Sequence, residues 1–191
     1  MEFQLAPFAL PAGYGEGIVS TSSVKAHIGL LHCDDDALLE VYRDAGIDLV
    51  ERYCGVRLAP CEGLTWQGES LPRSLDLSVW PVTAITAISY LDSTGEEQTA
   101  VASDWRVVRR GEIALKPGRD MPEDVAAAVS ITFDAGFAAG ECPEQLKQAV
   151  RVFAAHLYRN REGYEVGSMS GGLPAGFTHP LKAAGYRLPV I

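Results

Sequence analysis

Residues 128–162 read AVSITFDAGFAAGECPEQLKQAVRVFAAHLYRNRE, and within them a strand pattern changes into a helix pattern. In the segment 128–133 apolar and polar residues alternate, as they do in a strand with one buried face. From 143 to 161 apolar side chains recur at helical spacing instead. The apolar residues of this second group are Leu146, Val150, Phe153 and Leu157. The stretch predicts a strand followed by an amphipathic helix, which favours an α+β fold.

The part of the chain between residues 61 and 135 contains further strand patterns and no helix pattern. Six short segments alternate or are rich in β-branched residues: LTWQ, SLDLSVW, VTAITAISYL, WRVVR, EIALK and AVSITF. Prolines and glycines separate them, and the pair Arg110-Gly111 predicts a tight hairpin between WRVVR and EIALK. Since consecutive strands without a connecting helix pair antiparallel, we predict an antiparallel β insertion at 61–135.

Two more helices are predicted before this insertion, at 22–31 and 35–54. The residues predicted to cap their N-termini are Ser22 or Ser23 for the first helix, and Asp34, Asp35 and Asp36 for the second. The main apolar stripe predicted for the second helix consists of Leu38, Tyr42, Ala45, Leu49 and Tyr53, and it is widened by Leu39, Val41 and Val50. With the helix at 143–161, these segments form a small bundle of about three helices.

Composition and charge narrow the class of protein. The chain has 191 residues, 47% of them apolar and 21% charged, as expected of one compact globular domain with appendages. We find no apolar stretch of membrane-spanning length and no secretory signal, so we expect a soluble protein made inside the cell. The net charge of −9 disfavours nucleic-acid binding through a basic face. Residues 1–140 contain 10 basic and 21 acidic side chains and residues 141–191 contain 6 and 4, so a mildly basic tail follows an acidic body.

The sequence lacks motifs for catalysis or cofactor binding. It has no phosphate-binding loop, nucleophile elbow or zinc-protease motif, and its four cysteines lack the paired spacing of a zinc or redox site. We expect free thiols, no metal and no cofactor, and a structural or binding protein rather than an enzyme. The alternative from another class is a small hydrolase or binding enzyme, in which His156 or His32 would lie beside carboxylates in a pocket.

The order of several segments resembles one known family. These segments are VKAHIGL, YCGVRLAP, WPVTAITAISYLDSTGEEQTAVASDWRVV, ITFDAGFAAGECPEQLKQAVRVFAAHLYRNRE and LPAGFTHPLKAAGYR. In this order, over roughly residues 20–188, they resemble the head–tail connector proteins of tailed bacteriophages, also called adaptor or head-completion proteins, and their gene-transfer-agent versions. The motifs are packing and turn signals and none is catalytic, so the resemblance depends on their joint order.

This resemblance implies a mostly helical domain with a β insertion, and a virion protein without enzymatic activity or cofactor. Its subunits would form a dodecameric ring under the portal that joins head to tail and extends the DNA channel. The implied partners are further copies of the chain, the portal protein, and stopper or tail proteins. DNA would pass through without specific binding, and no membrane is involved. Such a protein is made in the cytoplasm of the bacterial host and resides in the neck of the virion.

Two interaction sites are predicted for such a ring. The tail at 163–191 is apolar but has no helix or strand period, and C-terminal arms of this family reach the portal. The candidates for portal docking are Leu173, Pro174, Phe177, Leu181, Tyr186 and Arg187. The candidates for a subunit interface, on the last helix, are Arg151, Arg159 and Arg161.

The predicted organisation is thus an extended N-terminal arm at 1–20, a connector domain at 21–162, and a C-terminal docking tail at 163–191. The alternative within the same class is another neck protein, either a stopper or a tail-completion protein. It would share the partners and differ mainly in its position along the neck.

Overall fold

The computed structural model describes residues 3–161, and the chain divides into two compact units. The sheet unit consists of Met1–Pro11 and Pro60–Phe137, and the helical unit consists of Ala12–Ala59 and Ala138–Ile191. The described residues form four α-helices and two antiparallel sheets, which confirms the predicted α+β class. No helix in this part of the chain is both long enough and apolar enough to cross a membrane.

The helical unit contains α1 (Tyr14–Ile18), α2 (Thr21–Ile28), α3 (Asp36–Cys54) and α4 (Glu144–Arg159). The two long helices, α3 and α4, pack against each other. Gly46 allows their close approach, because a Cβ atom at this position would lie 3.1 Å from the carbonyl oxygen of Val150. The buried apolar residues of the two helices are Leu39, Ile47, Val50, Cys54, Leu146, Ala149, Val150, Ala154 and Ala155.

The buried face of α3 differs from the predicted stripe. The residues predicted to form it are half-buried or, for Ala45, exposed: Leu38, Tyr42, Ala45, Leu49 and Tyr53. The face that is buried includes two charged residues, Arg43 and Glu51. Of the residues predicted to widen the stripe, Leu39 and Val50 are buried and Val41 is exposed. The main stripe was wrong because the prediction counted apolar residues alone, and a charged side chain with partners inside the fold can be buried as well.

The predicted N-cap of α2 was wrong, and that of α3 was right in position but wrong in its hydrogen bond. The N-cap of α2 is Ser20, whose hydroxyl oxygen accepts a hydrogen bond from the backbone N–H of Ser23 at 3.2 Å. Asp35 occupies the N-cap position of α3, but its side chain makes no capping hydrogen bond. Its carboxylate accepts a hydrogen bond from the hydroxyl of Tyr158 instead. A tertiary partner thus replaces the local backbone amides that sequence spacing suggested.

The sheet unit contains a five-stranded and a three-stranded antiparallel sheet. The order of the larger sheet is β1 (Phe3–Leu5), β2 (Cys61–Gly68), β8 (Ala127–Ala135), β4 (Val82–Leu91) and β5 (Glu97–Ala100). The order of the smaller sheet is β3 (Ser74–Asp76), β7 (Glu112–Leu115) and β6 (Trp105–Arg109). Four strands, β1, β5, β3 and β6, are therefore edges of these sheets.

A row of large side chains across the larger sheet forms the core of the sheet unit. Trp66 of β2 lies opposite Ile131 of β8, which lies opposite Ile88 of β4. All three are almost completely buried. The hairpin predicted at Arg110-Gly111 is confirmed, since β6 and β7 pair antiparallel across it and both turn residues have positive φ.

Three short elements have no counterpart in the sequence prediction. Within the predicted arm 1–20 the structure has the strand β1 and the helix α1, and within 61–135 it has the additional strand β5. β1 is three residues long and α1 five, too short for a period to be recognised. β5 reads EQTA, and none of its residues is buried, so it has no alternation to detect.

Candidate interaction surfaces

The three arginines predicted for a subunit interface lie at or just beyond the second half of α4, in different surroundings. Arg151 is held inside the helical unit. Its Nε donates a hydrogen bond to the hydroxyl of Ser23 at 2.9 Å, and its NH1 donates to a carboxylate oxygen of Glu144 at 2.5 Å. The hydrogen bond from Arg151 is the main reason why the pKa of Glu144 is lowered. Arg151 therefore connects α4 to α2.

Arg161 is also engaged within the chain. Its guanidinium lies over the ring of Tyr158, 4.4 Å from the ring centroid, and donates to the Asp35 carboxylate at 3.0 Å. The hydroxyl of Tyr158 donates to the same oxygen at 2.6 Å. The hydrogen bond from Tyr158, followed by that from Arg161, lowers the pKa of Asp35. These contacts join the region at the end of α4 to the start of α3.

Arg159 differs from the other two arginines. Its side chain is exposed, and it has no ion pair or hydrogen bond with any residue in the range 3–161. Among the described residues, Arg159 is the one of the three predicted arginines whose guanidinium has no partner and can bind another molecule. The six docking candidates between Leu173 and Arg187 lie outside the described residues.

Two buried charged residues, Arg43 and Glu51, organise the helical unit and were not predicted from the sequence. The carboxylate of Glu51 accepts hydrogen bonds from the hydroxyl of Tyr14 at 2.5 Å, the backbone N–H of Leu58 at 2.8 Å and the guanidinium of Arg57 at 2.5 Å. Its side chain is 2% exposed. Charged residues on a helix ordinarily predict an exposed face, so the sequence contains no signal for this site.

Arg43 forms the second buried charged site. Its guanidinium contacts the carboxylate of Glu16, bonds to Asp44 at 2.8 Å and donates to the hydroxyl of Thr21 at 3.0 Å. Burial by itself would raise the pKa of Glu16, but the hydrogen bonds from Thr21 and the charge of Arg43 outweigh it and lower that pKa. Arg43 and Glu51 together attach α1, the start of α2 and the segment after α3 to the long helix.

The histidines suggested for an alternative enzymatic site lie on the surface of the helical unit. His32 is exposed and its Nδ1 is 3.6 Å from a carboxylate oxygen of Asp34. His156 is exposed and its Nδ1 lies 3.2 Å from the side-chain nitrogen of Asn160. Residues 3–161 contain no group of three or more side chains placed to hold a metal ion.

The sheet unit has a half-open cavity of about 210 Å³ beside β5 and the start of β6. Its lining includes the aromatic rings of Tyr90 and Trp105 and the carboxylates of Asp104 and Asp120. Asp104 is paired with Arg119 at 3.1 Å. The lining contains Thr99 and no histidine, cysteine or serine.

Comparison with known proteins gives structural matches alone. No family model matches the chain, and no curated protein matches it. Among solved structures, a chain from the neck of an empty gene transfer agent (GTA) particle, computed with C6 symmetry, matches with TM-score 0.68 and 23% identity. A chain from the virion of a native gene transfer agent particle matches with TM-score 0.69 and 23% identity. A chain from the neck of a native GTA particle, computed with C12 symmetry, matches with TM-score 0.64 and 24% identity.

Each match covers 100% of this chain and 97% of the other chain. The chain has the fold of a gene-transfer-agent neck protein. Because the matches cover the whole chain, the likeness extends over both units rather than over one common motif. At this level of identity it establishes the fold, and the residues that contact partners have to be argued from this chain itself.

Proposed function

We propose that this chain is a head–tail connector, copies of which form a ring between the portal and the tail of a phage-like particle. The observation that supports this most directly is the full-length likeness to chains from gene-transfer-agent necks, one of them computed with C12 symmetry. Rotational symmetry repeats a subunit around an axis, so each copy must contact the next through two different, complementary surfaces. The ring joins head to tail and extends the DNA channel.

The charge of the chain suits this role. The net charge is −9, and a ring of such subunits would surround the channel with negative potential. DNA phosphates are repelled by such a surface, so DNA passes without adhering. The function requires no covalent chemistry and no cofactor, and its partners are further copies of the chain, the portal protein, and stopper or tail proteins. The protein acts in the neck of the particle, after synthesis in the host cytoplasm.

Exposed apolar side chains on the helical unit support an assembled state. Leu31, in the loop between α2 and α3, is 98% exposed, and Val41 on α3 is 63% exposed. Exposed apolar side chains are unremarkable singly, but a protein that spends its working life inside a particle has surfaces that partners cover. Arg159, whose guanidinium has no partner among residues 3–161, is the α4 residue that we assign to a contact with the next subunit.

Deletion of the gene in the source particle tests the proposal. We expect heads and tails to accumulate separately in electron micrographs, because the joining ring is missing. Complementation with the full-length gene should restore joined particles and serves as the control. Joined particles of normal appearance in the deletion strain would overturn the connector function.

The C-terminal docking tail is tested by a truncation. A chain lacking residues 168–191 should retain the circular dichroism and unfolding midpoint of the full-length body, yet fail to co-purify with the portal protein. Single substitutions of Phe177 and Tyr186 by alanine should also reduce the amount of chain that co-purifies with the portal protein. A truncated chain that still binds portal would exclude the tail as the docking segment.

Direct binding also separates a connector from another neck protein. A connector binds isolated portal rings in the absence of any other neck component. A stopper or tail-completion protein binds only after the connector has been added. Full-length chain that sediments with purified portal rings alone supports the connector position, and dependence on an additional neck protein contradicts it.

A further inference from the structure

The edge strand β6 has an unusual exposure pattern. After the buried Trp105, its four remaining residues, Arg106 to Arg109, are all exposed, although a strand normally buries every second side chain. Val107 is 37% exposed and Val108 is 41% exposed. The pairing with β7 is irregular between Val107 and Arg109, so Val108 is an extra residue in the strand. β6 thus presents apolar and basic side chains together along an open sheet edge, which we call the basic edge (Arg106–Arg109).

The surroundings of the basic edge are positive in an otherwise acidic chain. Residues 105–119 contain the basic side chains Arg106, Arg109, Arg110, Lys116 and Arg119 and a single acidic one, Glu112. Arg109 is paired with Glu112 at 3.3 Å, and Arg110 lies over the ring of Trp80. Arg106 has no ion pair with any residue in the range 3–161. A free guanidinium beside two exposed valines is the arrangement of an interface that has both charge and apolar area.

The same unit has an oppositely charged surface at another sheet edge. Glu96 and Glu97, at the turn into the edge strand β5, are exposed and form no ion pair within residues 3–161. The loop that contains Glu123 and Asp124 lies next to this turn, because Asp124 accepts hydrogen bonds from the hydroxyl and the backbone N–H of Ser93 at 2.6 and 3.2 Å. We call these four acidic residues the acidic corner.

The turn of the acidic corner is held in a fixed conformation. Asp92 accepts hydrogen bonds from the hydroxyl of Thr94 at 2.6 Å, from the side chain of Gln98 at 2.9 Å and from the backbone N–H of Glu96 at 3.0 Å. These hydrogen bonds lower the pKa of Asp92 to about 2. A turn ordered in this way fixes the backbone at Glu96 and Glu97, so binding there costs mainly the conformational entropy of their side chains.

We propose that the basic edge of one subunit binds the acidic corner of a second copy, with Arg106 facing Glu96 or Glu97 and with Val107 and Val108 covered by the contact. This inference rests on the proposed function, since a ring needs a heterologous contact of this kind. Both halves are present on every copy, and Arg106, Glu96 and Glu97 have no ion pair within the described residues, so the contact can repeat from subunit to subunit. A second copy is favoured over DNA as occupant because the chain as a whole has net charge −9.

Cysteine cross-linking of the full-length chain tests the contact. Arg106→Cys and Glu97→Cys are placed in separate Cys33→Ser chains, because Cys33 is the one exposed native thiol. The two proteins are mixed and treated with a short bismaleimide. We expect a mixed dimer from this pair, and the yield from a second pair that keeps both charges, Val107→Cys with Gln98→Cys, should fall as salt is raised. The matched controls are Arg73→Cys, an exposed residue just before β3 at the opposite edge of the same sheet, and Glu69→Cys, an exposed residue after β2, which should give little mixed dimer.

Charge reversal provides the second measurement. Arg106→Glu or Glu97→Arg alone should lower the cross-linking of a second reporter pair, Val107→Cys with Gln98→Cys, by about tenfold or more, because like charges then face each other. The chain with both reversals regains opposite charges, so its yield should return toward that of the unreversed reporter pair. Arg73→Glu should have no effect. Failure of the double reversal to restore the yield would contradict the pairing of these two surfaces.

The same pairs are then examined in purified particles, so that the interface and the proposed function fail in different ways. Cross-links between positions 106 and 97 in solution, together with joined particles in the deletion strain, would support the interface and overturn the connector function. Separate heads and tails in the deletion strain, without these cross-links in solution or in complemented particles, would overturn the interface alone. Duplex DNA binding that is abolished by Arg106→Glu, without mixed dimers, would assign the basic edge to nucleic acid and overturn the proposal.

Discussion

Tyr158, on the last turn of α4, donates its hydroxyl hydrogen to Asp35, the residue before α3, across 2.6 Å. The two residues are 123 positions apart in the chain, so their contact joins the two long helices at one end. The interaction lowers the pKa of Asp35 and raises that of Tyr158, because the hydrogen bond favours an ionised carboxylate and a protonated phenol.

This contact makes the stability of the helical unit depend on pH on the acidic side. Because the pKa of Asp35 is lower in the folded than in the unfolded chain, its contribution is complete above the unfolded value of about 4 and is lost as the pH falls through the folded pKa. Tyr158→Phe should therefore lower the midpoint of urea unfolding at pH 7, and the difference from the unmodified protein should shrink as the pH is lowered toward 3. Tyr42→Phe is the control, since the Tyr42 hydroxyl has no partner within residues 3–161. If the unfolding midpoint of Tyr158→Phe lay below that of the unmodified protein by the same amount at every pH, this role of the Asp35 carboxylate would be contradicted.

Removal of the buried carboxylate at position 51 should be one of the most damaging single changes in the helical unit. Glu51→Ala leaves the guanidinium of Arg57, the hydroxyl of Tyr14 and the backbone N–H of Leu58 without their acceptor. We expect a loss of about 3–5 kcal/mol in the free energy of unfolding, measured by urea denaturation. Tyr14→Phe removes the hydrogen bond to Glu51 and the one that the Tyr14 hydroxyl accepts from the backbone N–H of Ala59, and should cost about 1–2 kcal/mol.

Glu40→Ala provides the matched control for this change. Glu40 is on the same helix and is exposed, so its replacement should alter the free energy of unfolding by less than about 0.5 kcal/mol. Equal effects of the changes at positions 40 and 51 would show that the network around Glu51 does not stabilise the fold.

The contact between α3 and α4 at Gly46 should tolerate no large side chain. A Cβ atom at this position would lie 3.1 Å from the carbonyl oxygen and 3.4 Å from Cγ1 of Val150. Gly46→Ala is expected to lower the free energy of unfolding by about 1–3 kcal/mol, because the helices must separate slightly, and Gly46→Val by more. Gly17→Ala, in α1, meets no atom within 4 Å and should be neutral or slightly stabilising. Thermal unfolding of the three variants distinguishes a steric cause from a general effect of replacing glycine.

The four cysteines should react with very different rates. Cys33 is exposed, whereas Cys54, Cys61 and Cys142 are buried. Burial raises the pKa of Cys54 to about 12 and that of Cys142 to about 11, so almost no thiolate forms at these positions at pH 8. Iodoacetamide should modify one thiol per native chain and four after unfolding in urea, as counted by intact mass. Rapid native modification of Cys54 would show that the helical unit opens locally.

Periodicity predicted the elements that have one buried face and are long enough to show it. β8 alternates buried and half-buried residues from Val129 to Ala135. In α4 two residues of the predicted stripe, Leu146 and Val150, are buried, and the other two, Phe153 and Leu157, are half-buried. β1 and β5 were missed because they are short edge strands whose formation depends on pairing with β2 and β4. Their residues alone do not specify a strand.

The candidate surfaces were less predictable for a physical reason. The sequence shows Arg151, Arg159 and Arg161 alike, as basic residues in or near the last helix. In the fold, however, Arg151 pairs with Glu144 and Arg161 pairs with Asp35. The partner of Arg161 is 126 positions away, so no local spacing could indicate it. The exposure of Val107 and Val108 likewise follows from the position of β6 at a sheet edge, which sequence periodicity does not determine.

The chain order of the two units also has a consequence for synthesis on the ribosome. Every strand of the sheet unit has been made by residue 135, but α3 ends at Cys54 and its packing partner α4 begins at Glu144. At a translation rate of about 5–20 residues per second, the apolar face of α3 waits roughly 5–20 s for α4 to be made. During that interval the face of α3 that will pack against α4 stays uncovered, although α1 and α2 have already been made, and an exposed apolar face is the kind of surface that chaperones bind. The helical unit is therefore the part of the protein whose yield in cells should depend most on chaperone supply.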